Sequence, residues 1–124
     1  MGVKAYGYLR VSGQSQLEGN GLDRQLEGIQ SFTKAKGYEI IKVFKEEAVS
    51  GTMDEHHRPA FKEMIAEILR NGIDTIIIES LDRLAREYRI QEQLLIYLVS
   101  KGIDLISANT GENVTQAIQD DPMK

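Results

Sequence analysis

Ile76-Ile77-Ile78 constrains this fold more than any other stretch of the chain. Three consecutive β-branched residues leave no polar face, so a strand made from them needs cover on both sides. The flanking sequence can supply it. Residues 3–11 alternate, with Ala5, Gly7, Leu9 and Val11 on one face and Tyr6, Tyr8, Arg10 and Ser12 on the other. After a loop rich in Gly, Gln, Ser and Asn, Asn20 with Asp23 three residues on reads as a helix start. Leu22, Leu26, Ile29 and Phe32 follow at helical spacing, and Gly37 ends the run. Ile40, Ile41, Val43 and Phe44 mark a second strand over about residues 39–45. Arg58-Pro59 opens a helix carrying Phe61, Met64, Ile65, Ile68 and Leu69, which ends near Asn71-Gly72. Beyond the isoleucine strand, Ile90, Leu94, Leu95 and Leu98 mark another helix, closed by Gly102, and residues 103–108 a last strand. From 109 to 124 the pattern fades into a loop, with Pro122 placed to open a helix that these residues do not complete.

The order βαβαβαβ predicts an α/β fold with three α/β/α layers around a mostly parallel central sheet. Chemistry in such folds sits beyond the carboxyl ends of the strands. Ser12, Glu47 and Ser80-Leu81-Asp82 all follow strands and are expected to gather there.

Several classes of function are disfavoured. The 124 residues amount to a single domain. There is no cysteine, so thiolate catalysis, disulfides and cysteine metal sites are excluded. His56 and His57 are adjacent in a polar loop and have no metal-ligand spacing; they read as surface residues. The glycines near Gly19 and Gly21 do not form a phosphate-binding P-loop. No apolar run approaches a membrane span and no signal peptide opens the chain, so the expected location is cytoplasmic. A net charge of −4 and a pI near 5.2 do not by themselves suggest a nucleic-acid partner.

The candidate chemistry lies in Arg10-Val11-Ser12 and Asp82-Arg83-Leu84-Ala85-Arg86. Alternation puts the Ser12 hydroxyl on the strand face of Arg10, where a cation favours an attacking alkoxide and grips the phosphate it attacks. Arginine suits this work because its planar fork matches phosphate oxygens and stays charged. A helix over 82–86 would crowd Asp82, Arg83 and Arg86 around one turn near an anion-favouring N-terminus. The bland readings are a loop-starting serine and a solvated charge cluster. Arg58 is harder to dismiss, because a cation at a helix N-terminus opposes the dipole and a bound phosphate would offset that cost.

At these residues the chain resembles the resolvase/invertase family of serine recombinases, over nearly its whole length. The match is ordered: Tyr8-Leu9-Arg10-Val11-Ser12, Gln16, Leu22-Asp23-Arg24-Gln25, Glu47, Ser50-Gly51-Thr52, Arg58-Pro59-Ala60-Phe61, then Asp82-Arg83-Leu84-Ala85-Arg86. The resemblance implies a resolvase-like catalytic domain that acts on DNA. Ser12 would be the nucleophile, forming a 5′-phosphoseryl link and releasing a 3′-hydroxyl, with no metal, ATP or other cofactor. Arg10, Arg83 and Arg86 would bind phosphate, Arg58 would be a further active-site arginine, and Asp82 would assist proton transfer. Gln16, Gln25 and Glu47 would support substrate binding, with Gln25 near the nucleophile. Glu47 stands where the family often has aspartate. The full-length enzyme would work as a homodimer and then a tetramer.

The long segment between Ser12 and Gln25, with Val49-Ser50-Gly51-Thr52, is more like the large serine recombinases or transposases. The family's dimerisation helix and C-terminal DNA-binding domain are expected to lie outside residues 1–124. The isolated chain is then expected to be a monomer or weak dimer, without recombination activity of its own. The alternative is a non-catalytic flavodoxin-like regulatory or binding domain. A receiver, however, needs an acidic pair after its first strand, where this chain has Arg-Val-Ser.

Overall fold

The computed structural model describes residues 2–11, 21–47 and 58–119. Ser12, Gln16, Asn20, Ser50-Gly51-Thr52, His56, His57 and Pro122 lie outside the described residues, as does the side chain of Glu47. The elements follow the expected alternation. Strand β1 (Val3–Val11) leads to helix α1 (Gly21–Lys36) and strand β2 (Tyr38–Glu47). Helix α2 (Pro59–Asn71) and strand β3 (Thr75–Ile78) follow, then a one-turn helix α3 (Leu81–Leu84) and helix α4 (Tyr88–Ser100). Strand β4 (Asp104–Ser107), the short strand β5 (Glu112–Asn113) and helix α5 (Val114–Gln119) complete the described fold.

The sheet order is β2-β1-β3-β4-β5, parallel except for β5. From β1 the chain first crosses to one side, to β2, and then back past β1 to β3 and β4. Right-handed crossovers therefore place α1 on one face and the later helices on the other. The core divides accordingly. Ala5, Leu9, Ile77 and Ile106 pack with Ile29 of α1. Tyr6, Tyr8, Ile76, Ile78 and Leu105 pack with Phe61, Met64, Leu94, Leu98 and Val114 on the opposite face. The isoleucine strand is central and buried along its whole length, as its composition requires.

Two departures from simple periodicity have physical causes. The β1–β2 register shifts where Ala5 faces Ile40 and Tyr6 faces Lys42, so Ile41 is a bulged extra residue. The bulge lets Ile40 and Val43, three apart, both pack on the α1 side while Phe44 packs on the other. The second departure is a correction, because residues 112–119 are not a loop. Gly111, at φ +75°, turns the chain so that Glu112 and Asn113 pair antiparallel to Ser107 and Ile106. The Asn113 side-chain oxygen then accepts from the Gln116 amide and the Thr115 hydroxyl, capping α5. Elements this short carry no hydrophobic period; their only sequence signals were a glycine and an asparagine cap.

Replacing Ile77, fully buried in the central strand, with alanine is expected to lower folding stability by about 2–5 kcal/mol with cooperative unfolding retained. Urea denaturation followed by circular dichroism measures this. A loss under about 1 kcal/mol would mean the centre of the sheet is not the tightly packed core described here.

Candidate functional site

Strand order reverses direction between β1 and β3, and the carboxyl ends of these neighbours form the crevice where ligands bind in open α/β sheets. Arg10 stands at the end of β1, and Glu79 and Ser80 follow β3. Strand β3 stops at Ile78, too short to pair with the last part of β1. The buried Gln25 of α1 completes that edge. Its side-chain oxygen accepts from the Arg10 amide at 3.2 Å, and its side-chain nitrogen donates to the Arg10 carbonyl at 3.0 Å. An amide side chain thus takes the place of a strand and fixes the backbone two residues before Ser12.

The Arg10 side chain is also buried, at 2% exposure. Its Nε donates to the Arg83 carbonyl at 2.8 Å and its Nη2 to the Asp82 carbonyl at 2.9 Å. Arg58, 0% exposed, donates through Nη1 to the Leu84 carbonyl and to the Tyr8 hydroxyl. Gln91 of α4 donates to the Leu81 and Ala85 carbonyls. The last carbonyls of a helix lack partners within it. Here those of α3 are met largely by two guanidinium groups, which also suit the negative end of the helix dipole.

Arg58 stands just before α2, and its hydrogen-bond network reaches a carboxylate through the Tyr8 hydroxyl. Buried Glu46, from the end of β2, accepts from the Ala60 and Phe61 amides at 3.0 and 2.9 Å and from the Tyr8 hydroxyl at 3.0 Å. One carboxylate therefore caps α2 from another element and sits within the same network as the buried cation. Sequence reading singled out Glu47 and missed its neighbour; the only available signal was a carboxylate one residue away, ahead of an uncapped Arg-Pro helix start.

The expectation for residues 82–86 needs correction. Helix α3 ends at Leu84 because Ala85 is extended, at φ −159° and ψ 143°, and Arg86 lies in the bend before α4. Asp82, Arg83 and Arg86 do not share a helical face, and one turn of helix makes no anion site. Asp82 is exposed and accepts from the Ser80 hydroxyl at 2.5 Å. Arg83 is partly buried, with its Nε 3.2 Å from Glu79 Oε1, and Arg86 is exposed. The four arginines nonetheless converge electrostatically. Burial, then the charge of Arg58, and further those of Arg86 and Arg83, pull the Arg10 guanidinium down from its ordinary value to about 10. Arg10 stays charged at neutral pH. Such an edge favours an anion, even in a chain of net charge −4. Among the described residues, no cluster of His, Asp and Glu is arranged to hold a metal ion.

A family model for the resolvase N-terminal domain matches residues 5–123. The chain belongs to the resolvase family of serine recombinases. Among solved structures, this resolvase-family fold is similar to the N-terminal catalytic domain of TP901-1 integrase. The two are 28% identical, with a TM-score of 0.75 over 93% of this chain and 88% of that one. A resolvase family site-specific recombinase from Streptococcus pneumoniae is 27% identical, with a TM-score of 0.74 over 98% of this chain and 79% of that one. The uncharacterized protein YbcK of Escherichia coli (strain K12) is 31% identical over an alignment of 121 positions that covers 90% of this chain and 24% of YbcK. The chain thus spans about a quarter of the length of that curated relative.

Truncating Glu46 to alanine removes the acceptor of two helix amides and of the buried Tyr8 hydroxyl, and is expected to cost about 2–4 kcal/mol. Gln25→Ala strands the buried Arg10 amide and carbonyl, with an expected loss of about 2–4 kcal/mol. Urea titrations of both variants check these values, and losses under about 1 kcal/mol would remove the networks from the account. Burial, more than any neighbour, holds the Tyr8 phenol above its usual value. The folded state therefore keeps a proton that the unfolded chain releases near pH 10, and this contribution to stability is complete below that pH and lost as pH rises above it. Tyr8→Phe is expected to flatten the fall in stability above pH 10, measured by denaturant titrations across pH; an unchanged slope would show that Tyr8 ionises as freely in the fold as outside it.

Proposed function

We propose that this chain is the catalytic domain of a site-specific DNA recombinase in which Ser12 attacks a phosphodiester. The observation that carries the reading is the arginine-rich edge at the switch point between β1 and β3, with Arg10 two residues from Ser12. The similarity to the catalytic domain of an integrase and to a site-specific recombinase supports it.

The Ser12 oxygen would form a bond to phosphorus as the bond to the 3′-oxygen breaks, giving a 5′-phosphoseryl link and a free 3′-hydroxyl. The serine proton would pass to solvent water in the attack, and Asp82, exposed at the same edge, would help relay a proton from water to the leaving 3′-oxygen. Reversal by another 3′-hydroxyl rejoins the strands without ATP. Arg83 and Arg86, the less buried arginines, would contact the phosphate, stabilising charge that develops in the transition state. Arg10 would add its charge from beneath while holding the turn that carries Arg83. Arg58, fully enclosed, would act by positioning that turn and not by touching DNA. Gln25 would hold the backbone leading to Ser12; Gln16 and Glu47 would support the site from the segments beside it. Pairing of two such domains, and then of two dimers, would bring the second strand and second duplex to equivalent sites.

The test is covalent trapping. The parent protein is incubated with genomic DNA of its source organism, quenched with detergent, and assayed for protein-linked DNA. Wild type is expected to give 5′-linked adducts and Ser12→Ala none, with retained DNA binding. Arg83→Lys is expected to slow adduct formation by about 10²–10³, since lysine cannot reproduce the planar fork. Chelators are expected to change nothing. Normal adducts from Ser12→Ala, or a strict magnesium requirement, would overturn the mechanism.

A further inference from the structure

The turn that carries Arg83 is held from another side by a carboxylate outside every motif named above. Glu79 directly follows β3. Its Oε1 accepts from Arg83 Nε at 3.2 Å, four residues on, and its Oε2 lies 3.7 Å from Nη1 of Arg24 on α1. The Glu79 and Arg83 side chains are 17% and 19% exposed, so the pair is shielded from solvent, whereas Arg24 is exposed. The Glu79 backbone is itself pinned, because its carbonyl accepts from the Asn109 amide at 2.9 Å. Gly28, one turn after Arg24, brings the α1 backbone close; a methyl group added there would stand 3.5 Å from Glu79 Oε2. Arg24, Gln25 and Gly28 thus make one face of α1, which grips the ends of β1 and β3 together.

We propose that Glu79 is a positioning residue for Arg83, an inference that rests on the phosphodiester reaction proposed above. Glu79 holds the Nε edge of the guanidinium, and the terminal nitrogens are left to meet the substrate phosphate as a fork. Arg24 steadies the carboxylate from the α1 side. A long side chain ordered before the anion arrives loses less freedom on binding, and the partial shielding makes this pair stronger than an ordinary surface ion pair. A simpler electrostatic reading has the opposite sign. A carboxylate beside a phosphate site repels the phosphate, so its removal would tighten anion binding.

The experiment uses the 124-residue chain with isotope-labelled arginine, and inorganic phosphate as the probe. Magnetic resonance reads two quantities: exchange of the Arg83 Nε proton with water, and the shifts that phosphate induces at Arg10, Arg83 and Arg86. In Glu79→Ala, Arg83 Nε exchange is expected to rise about tenfold, and phosphate to bind at Arg83 about threefold more weakly despite loss of a like charge. Glu79→Gln is nearly isosteric and keeps an acceptor oxygen; it is expected to fall between wild type and alanine, and it carries the test if the alanine variant does not fold. Unchanged exchange in both variants, or tighter phosphate binding at Arg83 in either, would overturn the positioning role. Phosphate that perturbs none of these arginines in wild type would instead contradict the phosphate-site reading itself. Binding that affects Arg83 equally in wild type and variants would contradict only the role of Glu79.

Discussion

The candidate site depends on two buried guanidinium groups that terminate a one-turn helix. Arg10 and Arg58 donate to the carbonyls of Asp82, Arg83 and Leu84, groups that a helix of this length cannot satisfy itself. Arginine is suited to the task, because the edge formed by Nε and Nη2 reaches two successive carbonyls at once. Burying two cations is tolerable only with strong hydrogen bonds and nearby negative charge. The carbonyls provide the first, and Glu46, linked to Arg58 through Tyr8, provides the second. One consequence is that the end of β1, the start of α2 and the turn after β3 cannot move independently. The relative placement of Arg83, Asp82 and the end of β1 is set through this network.

Much of the fold was legible because its signals are long or extreme. Ile76-Ile77-Ile78 has no polar face and occupies the buried centre of the sheet. The alternation of β1 divides the two halves of the core as expected, with Tyr6 and Tyr8 on one side and Ala5 and Leu9 on the other. Gly37 and Gly72 sit at positive φ where two helices end. The misreadings came where tertiary contact overrides local pattern. Residues 112–119 form a strand and a helix too short to show a period, held by pairing to β4 and by the Asn113 cap. Ala85 breaks the helix that the charge spacing suggested, because the carbonyls before it are taken by side chains distant in sequence.

The arginines of the candidate site stand out in the sequence, but their different surroundings do not. Arginines at positions 10, 58, 83 and 86 look equivalent in sequence; in the structure two are buried and two reach the surface. Burial of a long charged side chain follows from where the chain's carbonyls fall, which no local pattern encodes. Gln25 was marked by the family resemblance, but its pairing with the Arg10 backbone follows from the early end of β3. Glu46 and Glu79 belong to no motif: one accepts from the amides that open α2 and from Tyr8, the other from Arg83.

The central claim is that this buried scaffold presents a phosphate to Ser12. A crystal structure of the chain with a short single-stranded oligonucleotide tests it most directly. The account predicts a backbone phosphate at the carboxyl ends of β1 and β3, its oxygens bonded to the terminal nitrogens of Arg83 and Arg86. Its phosphorus would lie about 3–3.5 Å from Ser12 Oγ, with the Arg10 and Arg58 contacts unchanged. A phosphate bound elsewhere, or a Ser12 hydroxyl directed away from a correctly bound phosphate, would contradict it.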